Sequence, residues 1–164
     1  MGMNNSRNFD LLTLGQVLLR LSPPDNERLS RGDTFVKQVG GAELNVAVGA
    51  ALLGLHTGVI SKLPAHDIGS FMKGKIRSFG VSDDFFMYDQ SPAARVGIYY
   101  YENGAYPRKP KVIYDRNHSS FFSLDIDEIP EEVYTASKCF HTTGITLALS
   151  EQVRETTIEM VKRF

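Results

Sequence analysis

A pair of glycines, Gly40 and Gly41, leads into a long apolar segment with one amide side chain, Asn45, near its start. Paired glycines let the backbone take positive φ and approach a ligand closely. The N–H groups in the first turn of a helix have no partner inside the helix, so they can donate to a hydroxyl or an anion. An asparagine one turn into the helix can both donate and accept. The pattern suits a site for hydroxyls or an anion, and the alternative is a tight turn that only begins a buried helix.

The elements around the glycine pair alternate between strands and helices, which predicts an α/β fold. The helix over residues 44–55 is apolar on nearly all sides, so we expect it to be enclosed against a sheet. With the strands before and after it, this helix predicts a right-handed strand–helix–strand crossover. The predicted strands cover residues 10–15, 17–21, 34–39, 59–63, 84–87 and 139–141, and the other helices cover residues 67–79 and the segment that Ser150 caps.

Residues 94–102 and 111–115 are rich in tyrosine and β-branched residues, and Asn103-Gly104 between them is a strong turn signal. We therefore expect a hairpin that projects from the α/β body. By composition alone it could be only an edge hairpin. Because exposed β edges with aromatic faces need a partner, the hairpin also predicts a homodimer. The expected faces carry Ile98, Tyr100 and Val112 on one side and Tyr99 and Tyr101 on the other.

Two patterns that suggest cofactor chemistry do not fit it in detail. Residues 69–76 have the spacing of a phosphate loop, but Ile76 stands where the loop needs Ser or Thr for magnesium, and the segment falls in a predicted helix. Cys139 and His141 are too few for a four-ligand metal site, and the other histidines are scattered. We therefore predict no nucleotide site in residues 69–76 and no metal site in the chain.

Composition excludes several functional classes. The 164 residues carry a net charge of −1, which gives no overall attraction to nucleic acid or to an anionic membrane. Residues 1–8 are polar without the apolar core of a signal peptide, and the longest apolar run is too short to span a bilayer. A single cysteine excludes an internal disulfide. We predict a cytoplasmic domain over residues 9–164 after a disordered or tag-like segment 1–8, with no nucleic-acid or membrane partner.

The run of residues 40–47 resembles the N-terminal signature of the phosphofructokinase-B (ribokinase-like) carbohydrate kinases. The resemblance extends from about Phe9 to the end of the chain, and within the family it is greatest to the 2-keto-3-deoxygluconate kinases. It implies the α/β ribokinase-like fold, a Rossmann-type three-layer core that is partial here, with a projecting β lid near residues 33–39 and 94–116. In the family the lid closes over the sugar and often pairs with a second subunit, which implies a homodimer through the β lid.

The resemblance also implies a set of sugar-binding residues. Residues 97–99 and 112–116 resemble two lid segments of the acid-sugar kinases, with Val96 in place of a threonine. Residues 143–146 resemble the segment whose isoleucine backbone lies over the sugar. The planar fork of Arg116 suits a carboxylate, and the alternative is a surface residue that pairs with Asp115 or Asp125. The implied substrate-binding residues are Gly40, Gly41, Asn45, Tyr99, Tyr114, Arg116 and Ile145.

Two positions near the start of the chain differ from the family pattern. Gln16 replaces the usual acid after Gly15, and Arg20 stands where kinases of neutral sugars often carry an aspartate. An arginine favours a carboxylate, so Arg20 indicates an anionic substrate. The alternative for Arg20 is a surface charge at a strand end.

The family's catalytic aspartate lies in a Gly-Ala-Gly-Asp motif of the C-terminal half, which this sequence does not contain. The resemblance therefore implies ATP and Mg²⁺ for a full-length enzyme, with the catalytic aspartate beyond Phe164. The last helix has no stop signal, so we expect it to belong to a cut or incomplete chain. We expect this chain to bind sugar weakly, to bind no cofactor and to transfer no phosphoryl group. The full-length enzyme would convert 2-keto-3-deoxygluconate to its 6-phosphate. The alternatives are a fructokinase, another ribokinase-like sugar or nucleoside kinase, or a non-catalytic sugar-binding or dimerising module.

Overall fold

The structure of the protein is a computed structural model that describes residues 8–164. The segment 1–8 that we expect to be disordered or tag-like lies outside the described residues except for Asn8. The strands of the described part are β1 (Phe9–Leu14), β2 (Leu18–Ser22), β3 (Val36–Gly40), β4 (Thr57–Pro64), β5 (Val81–Ser82), β6 (Phe86–Asp89), β7 (Gly97–Glu102), β8 (Lys111–Asp115) and β9 (Ser137–His141). Its helices are α1 (Ala42–Leu52), α2 (Asp67–Ser78), α3 (Val133–Ala136), α4 (Gly144–Leu147) and α5 (Glu151–Arg163), with 3-10 turns at Ser120–Ser123 and Ile126–Glu128.

A parallel sheet forms the centre of the molecule. Its strands follow the order β5-β4-β1-β9, and β6 pairs with the second half of β4. Leu12 of β1 pairs with Gly58 of β4 on one side and with Phe140 of β9 on the other. Strands of a parallel sheet are covered on both faces, which explains why β1 is almost continuously apolar.

Helices cover both faces of this sheet, so the body has three layers. Leu44 of α1 and Met72 of α2 pack with Val59 in one apolar cluster. Met160 of α5 packs with Ile60 in the other cluster. Val59 and Ile60 are neighbours on β4 and enter opposite clusters because successive side chains of a strand alternate between its faces. This is the three-layer α/β arrangement expected from the sequence.

Helix α1 is not enclosed on all sides, and our expectation was wrong there. Leu44 and Ala47 are buried against the sheet, whereas Leu52 and Leu53 are 80% and 85% exposed. Only one side of a helix in an outer layer can face the sheet, and an evenly apolar sequence does not indicate which side that is.

A second sheet of four strands has the order β3-β2-β7-β8. β2 is parallel to β7, while β3 and β8 are antiparallel to their neighbours. Strands β7 and β8 form the expected hairpin. Because residues 15–17 lead directly from β1 to β2, the carboxyl end of β1 lies where the two sheets meet.

The strand before α1 does not belong to the crossover that we expected. β3 lies in the four-stranded sheet, and β4 pairs with β1 instead. Helix α1 therefore leads from one sheet to the other. A local succession of strand, helix and strand does not specify which sheet the first strand joins.

The register of the β7–β8 hairpin corrects one predicted face. Tyr99 pairs with Tyr114, and Tyr101 pairs with Val112. Because directly paired residues of antiparallel strands share a face, Val112 lies with Tyr99 and Tyr101 and not with Tyr100. Register depends on how the connecting loop is accommodated, which the turn signal at Asn103-Gly104 does not specify by itself.

Two local predictions are confirmed. The segment with phosphate-loop spacing, residues 69–76, lies inside α2. Ser150 caps α5, and its hydroxyl accepts a hydrogen bond of 3.2 Å from the Val153 backbone N–H. Within residues 8–164, none of the helices has the length and apolar character needed to cross a bilayer.

Candidate functional site

A cavity of about 430 Å³ lies between the start of α1 and the four-stranded sheet. Small-molecule sites typically occupy ~300–1,000 Å³, so this cavity could hold a sugar-sized ligand. Its wall comes from the β1–β2 connection, from the first turn of α1, from the hairpin and from α4. The lining residues are Gln16, Leu18, Arg20, Gly41, Ala42, Glu43, Asn45, Tyr99, Tyr101, Val112, Tyr114, Arg116 and Ile145.

The cavity brings together six of the seven residues that the sequence predicts to bind substrate. The seventh, Gly40, does not line the cavity. A Cβ atom at position 40 would collide with the hydroxyl of Tyr99. Gly40 therefore provides space for Tyr99. The six residues at the cavity are Gly41, Asn45, Tyr99, Tyr114, Arg116 and Ile145.

Gly41 is required by the backbone at the start of α1. Its φ of 145° is disfavoured for residues with a side chain, and a Cβ there would lie 2.7 Å from the carbonyl oxygen of Gln16. The chain can thus turn from β3 into α1 directly against the β1–β2 connection. Asn45, one turn later, lines the cavity, and its exposed side chain is available to a ligand.

Two tyrosines form one wall of the cavity. The rings of Tyr99 and Tyr114 lie 5.9 Å apart between centroids and are inclined by 35°. Burial raises the pKa of the Tyr99 hydroxyl above its ordinary value. The hydroxyl is therefore protonated at neutral pH and can donate a hydrogen bond into the cavity.

The guanidinium of Arg116 lies beside this wall. Its Cζ atom is 5.8 Å from the centroid of the Tyr114 ring, and its Nε donates a hydrogen bond of 2.8 Å to Oε1 of Gln16. Burial lowers the pKa of Arg116 from its ordinary value, but an arginine with so high an intrinsic pKa remains cationic at neutral pH.

The surface ion pair that was the alternative for Arg116 does not form. Asp115 pairs with Arg95 at 2.8 Å, and Asp125 accepts a hydrogen bond from Gln152. Within residues 8–164, Arg116 has no carboxylate oxygen within 4.0 Å. The charge of Glu43, which lines the same cavity, acts on Arg116 only from a greater distance, so the guanidinium remains available to a ligand.

Arg20 also faces the cavity and is not an isolated surface charge. Its Cζ atom lies 4.3 Å from the centroid of the Tyr101 ring, and its Nε donates a hydrogen bond of 2.9 Å to the Ser22 hydroxyl. Stacking on an aromatic ring and a hydrogen bond to Nε together fix the plane of the guanidinium. A second cation is thus held at the same cavity.

Glu43 connects the start of α1 to the short helix α4. Its side chain is buried, with 2% of the residue exposed. The carboxylate accepts a hydrogen bond of 2.8 Å from the Thr146 hydroxyl and a further one from the Thr143 hydroxyl. Because Thr143 and Thr146 flank Ile145, these contacts hold Ile145 at the edge of the cavity.

Sequence reasoning missed Gln16, Glu43 and Tyr101 as lining residues. Gln16 follows the end of a central strand, where α/β proteins commonly place their ligands, so its position was a usable signal. Tyr101 required the strand register. Glu43 looks like an ordinary acidic residue in a first helical turn, and its burial could not be anticipated from sequence.

A comparison with protein families identifies the chain. The sequence model of the pfkB family carbohydrate kinases matches residues 8–163. The chain belongs to the pfkB family. Its mixed α/β architecture is the ribokinase-like fold of that family.

Several relatives of this pfkB chain are named as kinases of dehydro-deoxy sugars. A 2-dehydro-3-deoxygalactonokinase of Haloferax volcanii is 39% identical over 153 residues, covering 93% of this chain and 47% of that protein. A 5-dehydro-2-deoxygluconokinase of Bacillus cereus is 31% identical over 146 residues, covering 88% of this chain and 43% of that protein. The crystal structure of a 2-dehydro-3-deoxygluconokinase from Thermotoga maritima superposes with a TM-score of 0.88 at 35% identity, covering 94% of this chain and 47% of that one.

The pfkB chain spans about half the length of the relatives that it matches. Among residues 8–164, no group of three or more histidine, cysteine, aspartate or glutamate side chains could hold a metal ion. The phosphate-loop spacing of residues 69–76 is inside a helix, where it cannot form a strand–loop–helix cradle. Residues 69–76 are therefore not a phosphate loop.

Proposed function

We propose that this chain forms the sugar-binding part of an ATP-dependent carbohydrate kinase that phosphorylates 2-keto-3-deoxygluconate to its 6-phosphate. The observation that carries the proposal is Arg116, which lines the cavity and has no carboxylate oxygen within 4.0 Å among the described residues. A cation in such a position favours a ligand with a carboxylate over a neutral sugar.

Each part of the cavity has a role in this proposal. The first turn of α1 and Asn45 would hold sugar hydroxyls, because they supply N–H donors and an amide. Tyr99 and Tyr114 would hold the acid end together with Arg116, and the backbone at Ile145 would lie over the sugar. Gly40 would act indirectly, through the space that it leaves for Tyr99.

The C4 epimer, 2-keto-3-deoxygalactonate, is a second candidate substrate. It is favoured by the Haloferax volcanii relative, which is named as a 2-dehydro-3-deoxygalactonokinase. Both epimers carry the carboxylate that would meet Arg116, so only a direct comparison can distinguish them.

We propose further that the four-stranded sheet, with strands at Val36–Gly40 and over Gly97–Glu102 and Lys111–Asp115, is the lid over the sugar. In this proposal β2 is also part of the lid, because it lies between β3 and β7. The alternation of side chains along β2, β7 and β8 supports the role, since it directs one face of the sheet to the cavity.

A homodimer through the lid follows as a proposal from the edge strand β8. All five of its residues are exposed, and Ile113 and Tyr114 are 43% and 60% exposed. Sedimentation velocity should give a species of twice 18.3 kDa. The Ile113→Lys variant should shift that species to the monomer, and a monomeric native chain would refute the dimer.

In this proposal the phosphoryl-transfer centre lies outside the described residues. The ATP and Mg²⁺ of the full-length enzyme, and its catalytic aspartate, would be held by residues that the described part does not contain. This chain alone would bind the sugar acid without turnover, and its proposed location is the cytoplasm. A coupled ADP-release assay with the 164-residue chain and both epimers should show no activity, and turnover would contradict this part of the proposal.

Isothermal titration calorimetry of the 164-residue chain tests the substrate class. 2-Keto-3-deoxygluconate, 2-keto-3-deoxygalactonate, fructose and ATP are titrated separately. We expect heat from at least one sugar acid and none from ATP. The Arg116→Gln variant should weaken binding of the acid about ten-fold or more, since a hydrogen-bonded charge pair is lost.

Arg95→Gln is the matched control for this experiment. Arg95 lies close to the same hairpin and loses the same charge, but it pairs with Asp115 and does not line the cavity. The control should keep the affinity of the unmodified chain. Binding of fructose in preference to both acids would overturn the substrate assignment.

A further inference from the structure

The side chain of Gln16 is almost completely buried, with 3% of the residue exposed, and it makes three hydrogen bonds. Its Oε1 accepts from Nε of Arg116 at 2.8 Å. Its Nε2 donates to the backbone carbonyl of Arg116 at 3.3 Å and to the Ser119 hydroxyl at 2.6 Å. Gln16 thus contacts both the side chain and the main chain of Arg116.

The uncharged amide can make this pair of contacts with Arg116, whereas an ionised carboxylate cannot. Nε of an arginine is always a donor, and a backbone carbonyl is always an acceptor. The partner must therefore accept with one atom and donate with the other. An ionised carboxylate accepts with both oxygens, so a glutamate at position 16 would place an oxygen against the carbonyl without a hydrogen between them.

The space for the amide depends on Gly97. A Cβ atom at position 97 would lie 2.7 Å from Nε2 of Gln16 and 3.3 Å from Cβ of Arg116. Gly97 pairs with Leu18 in the sheet, so the close approach occurs where β2 and β7 meet beside the cavity. The absence of a side chain at Gly97 therefore leaves the space that the side chains of Gln16 and Arg116 occupy.

We propose that Gln16 is a positioning and specificity-determining residue that orients Arg116 without placing a negative charge against its guanidinium. This inference rests on the proposed function. Nε is the only side-chain nitrogen of Arg116 that donates a hydrogen bond within residues 8–164, and Arg116 lines the cavity, so its two terminal nitrogens remain available as a fork for a carboxylate. A glutamate at position 16 would form an ion pair with the guanidinium and compete with the ligand for it.

Two substitutions separate orientation from charge. Gln16→Glu keeps an acceptor for Nε but adds a negative charge, and Gln16→Met keeps the volume but removes every hydrogen bond. Calorimetry compares 2-keto-3-deoxygluconate with its uncharged C1 amide. We expect Gln16→Glu to weaken binding of the acid about ten-fold or more while the amide changes less than about two-fold. Unchanged affinity of Gln16→Glu for the acid would overturn the proposal.

A measurement without any ligand keeps this inference distinct from the proposed function. In the 164-residue chain labelled with ¹⁵N, the Arg116 Nε–H should exchange slowly with water, and the Arg116→Lys variant assigns its signal by removing it. The signal should stay protected in Gln16→Glu and exchange fast in Gln16→Met. If Gln16→Met does not fold, Ser119→Ala, which frees the amide on one side, should raise the exchange rate. Equal exchange in the unmodified chain and in these variants would refute the positioning role.

The calorimetry and the exchange measurement distinguish a failure of the proposed function from a failure of the role of Gln16. If no sugar acid binds but the Nε–H signal responds to Gln16, the proposed function is wrong and Gln16 still orients Arg116. If the acid binds and Gln16→Glu has no effect on its affinity, the proposed function stands and the role of Gln16 in specificity is wrong.

Discussion

The carboxylate of Glu43 accepts a hydrogen bond of 2.8 Å from the hydroxyl of Thr146, across the gap between the start of α1 and helix α4. Glu43 is buried, and Thr143 donates to the same oxygen. We expect Glu43→Ala to lower the free energy of unfolding by about 2–4 kcal/mol, because it leaves two threonine hydroxyls without their acceptor. Urea denaturation followed by circular dichroism measures this change.

Glu43→Gln separates the hydrogen bonds from the charge. The amide oxygen can still accept from Thr143 and Thr146, so this variant should lose roughly 1 kcal/mol or less. Both variants should also be compared for sugar-acid affinity. A Glu43→Ala protein as stable as the unmodified chain would show that the contacts to α4 are not stabilising.

Gly41 and Gly49 lie in or next to the same helix and should respond oppositely to alanine. Gly41 has a φ of 145° and faces the carbonyl of Gln16, whereas a Cβ at Gly49 would meet no atom within 4 Å. Gly41→Ala should lower the free energy of unfolding by about 1–3 kcal/mol through backbone strain. Gly49→Ala should raise it by about 0.5–1 kcal/mol, the difference in helix propensity. Thermal and urea unfolding of both variants test the contrast, and equal effects would contradict it.

The sequence was informative where a residue type is tied to one local geometry. The glycine pair before α1 predicted a turn with positive φ and a helix start, and Gly41 has that conformation beside the cavity. Asn103-Gly104 predicted the β7–β8 hairpin. These features depend on short-range sterics, which a single sequence expresses directly.

The sequence was less informative where a feature depends on distant parts of the chain. The assignment of β3 to the four-stranded sheet depends on its pairing with β2, and the face of Val112 depends on the register with Tyr101. The burial of Glu43 depends on threonines about a hundred residues away in the chain. Side-chain periodicity carries no information about such partners, because it reports only which residues share a face.

Arg20 should contribute to the choice of an anionic ligand. Its guanidinium stacks on Tyr101 at the same cavity as Arg116. Arg20→Met keeps an apolar stem for the ring and removes the charge, so affinity for a sugar acid should fall by roughly two- to ten-fold. Affinity for the uncharged C1 amide of the same sugar should stay the same. An equal loss for the acid and the amide would show that Arg20 acts by packing and not by charge.

Glu102 should make the stability of the chain depend on pH in the acid range. The Leu29 backbone N–H donates to its carboxylate at 2.9 Å, and Arg108 pairs with the same carboxylate, so the pKa of Glu102 lies below its ordinary value. A lowered folded-state pKa gives stability that is fully present above the unfolded-state pKa of about 4.3 and is lost as pH falls through the folded-state value. The melting temperature of the unmodified chain should therefore decrease as pH falls below about 4.3.

Glu102→Gln removes this contribution, so its melting temperature should be lower than that of the unmodified chain at neutral pH and should fall less on acidification. Asp10 and Asp89 also have lowered pKa values, so the variant should retain part of the acid sensitivity. Glu155→Gln is the matched control, because Glu155 is exposed on α5 and accepts no hydrogen bond from a side chain within residues 8–164. The melting temperatures of Glu102→Gln and of the unmodified chain should converge as pH is lowered, whereas the control should differ from the unmodified chain by the same amount at every pH. This result would establish that the Glu102 carboxylate stabilises the contact between β7 and the loop at Leu29. Parallel curves for Glu102→Gln at every pH would show that its carboxylate does not stabilise the fold through its charge.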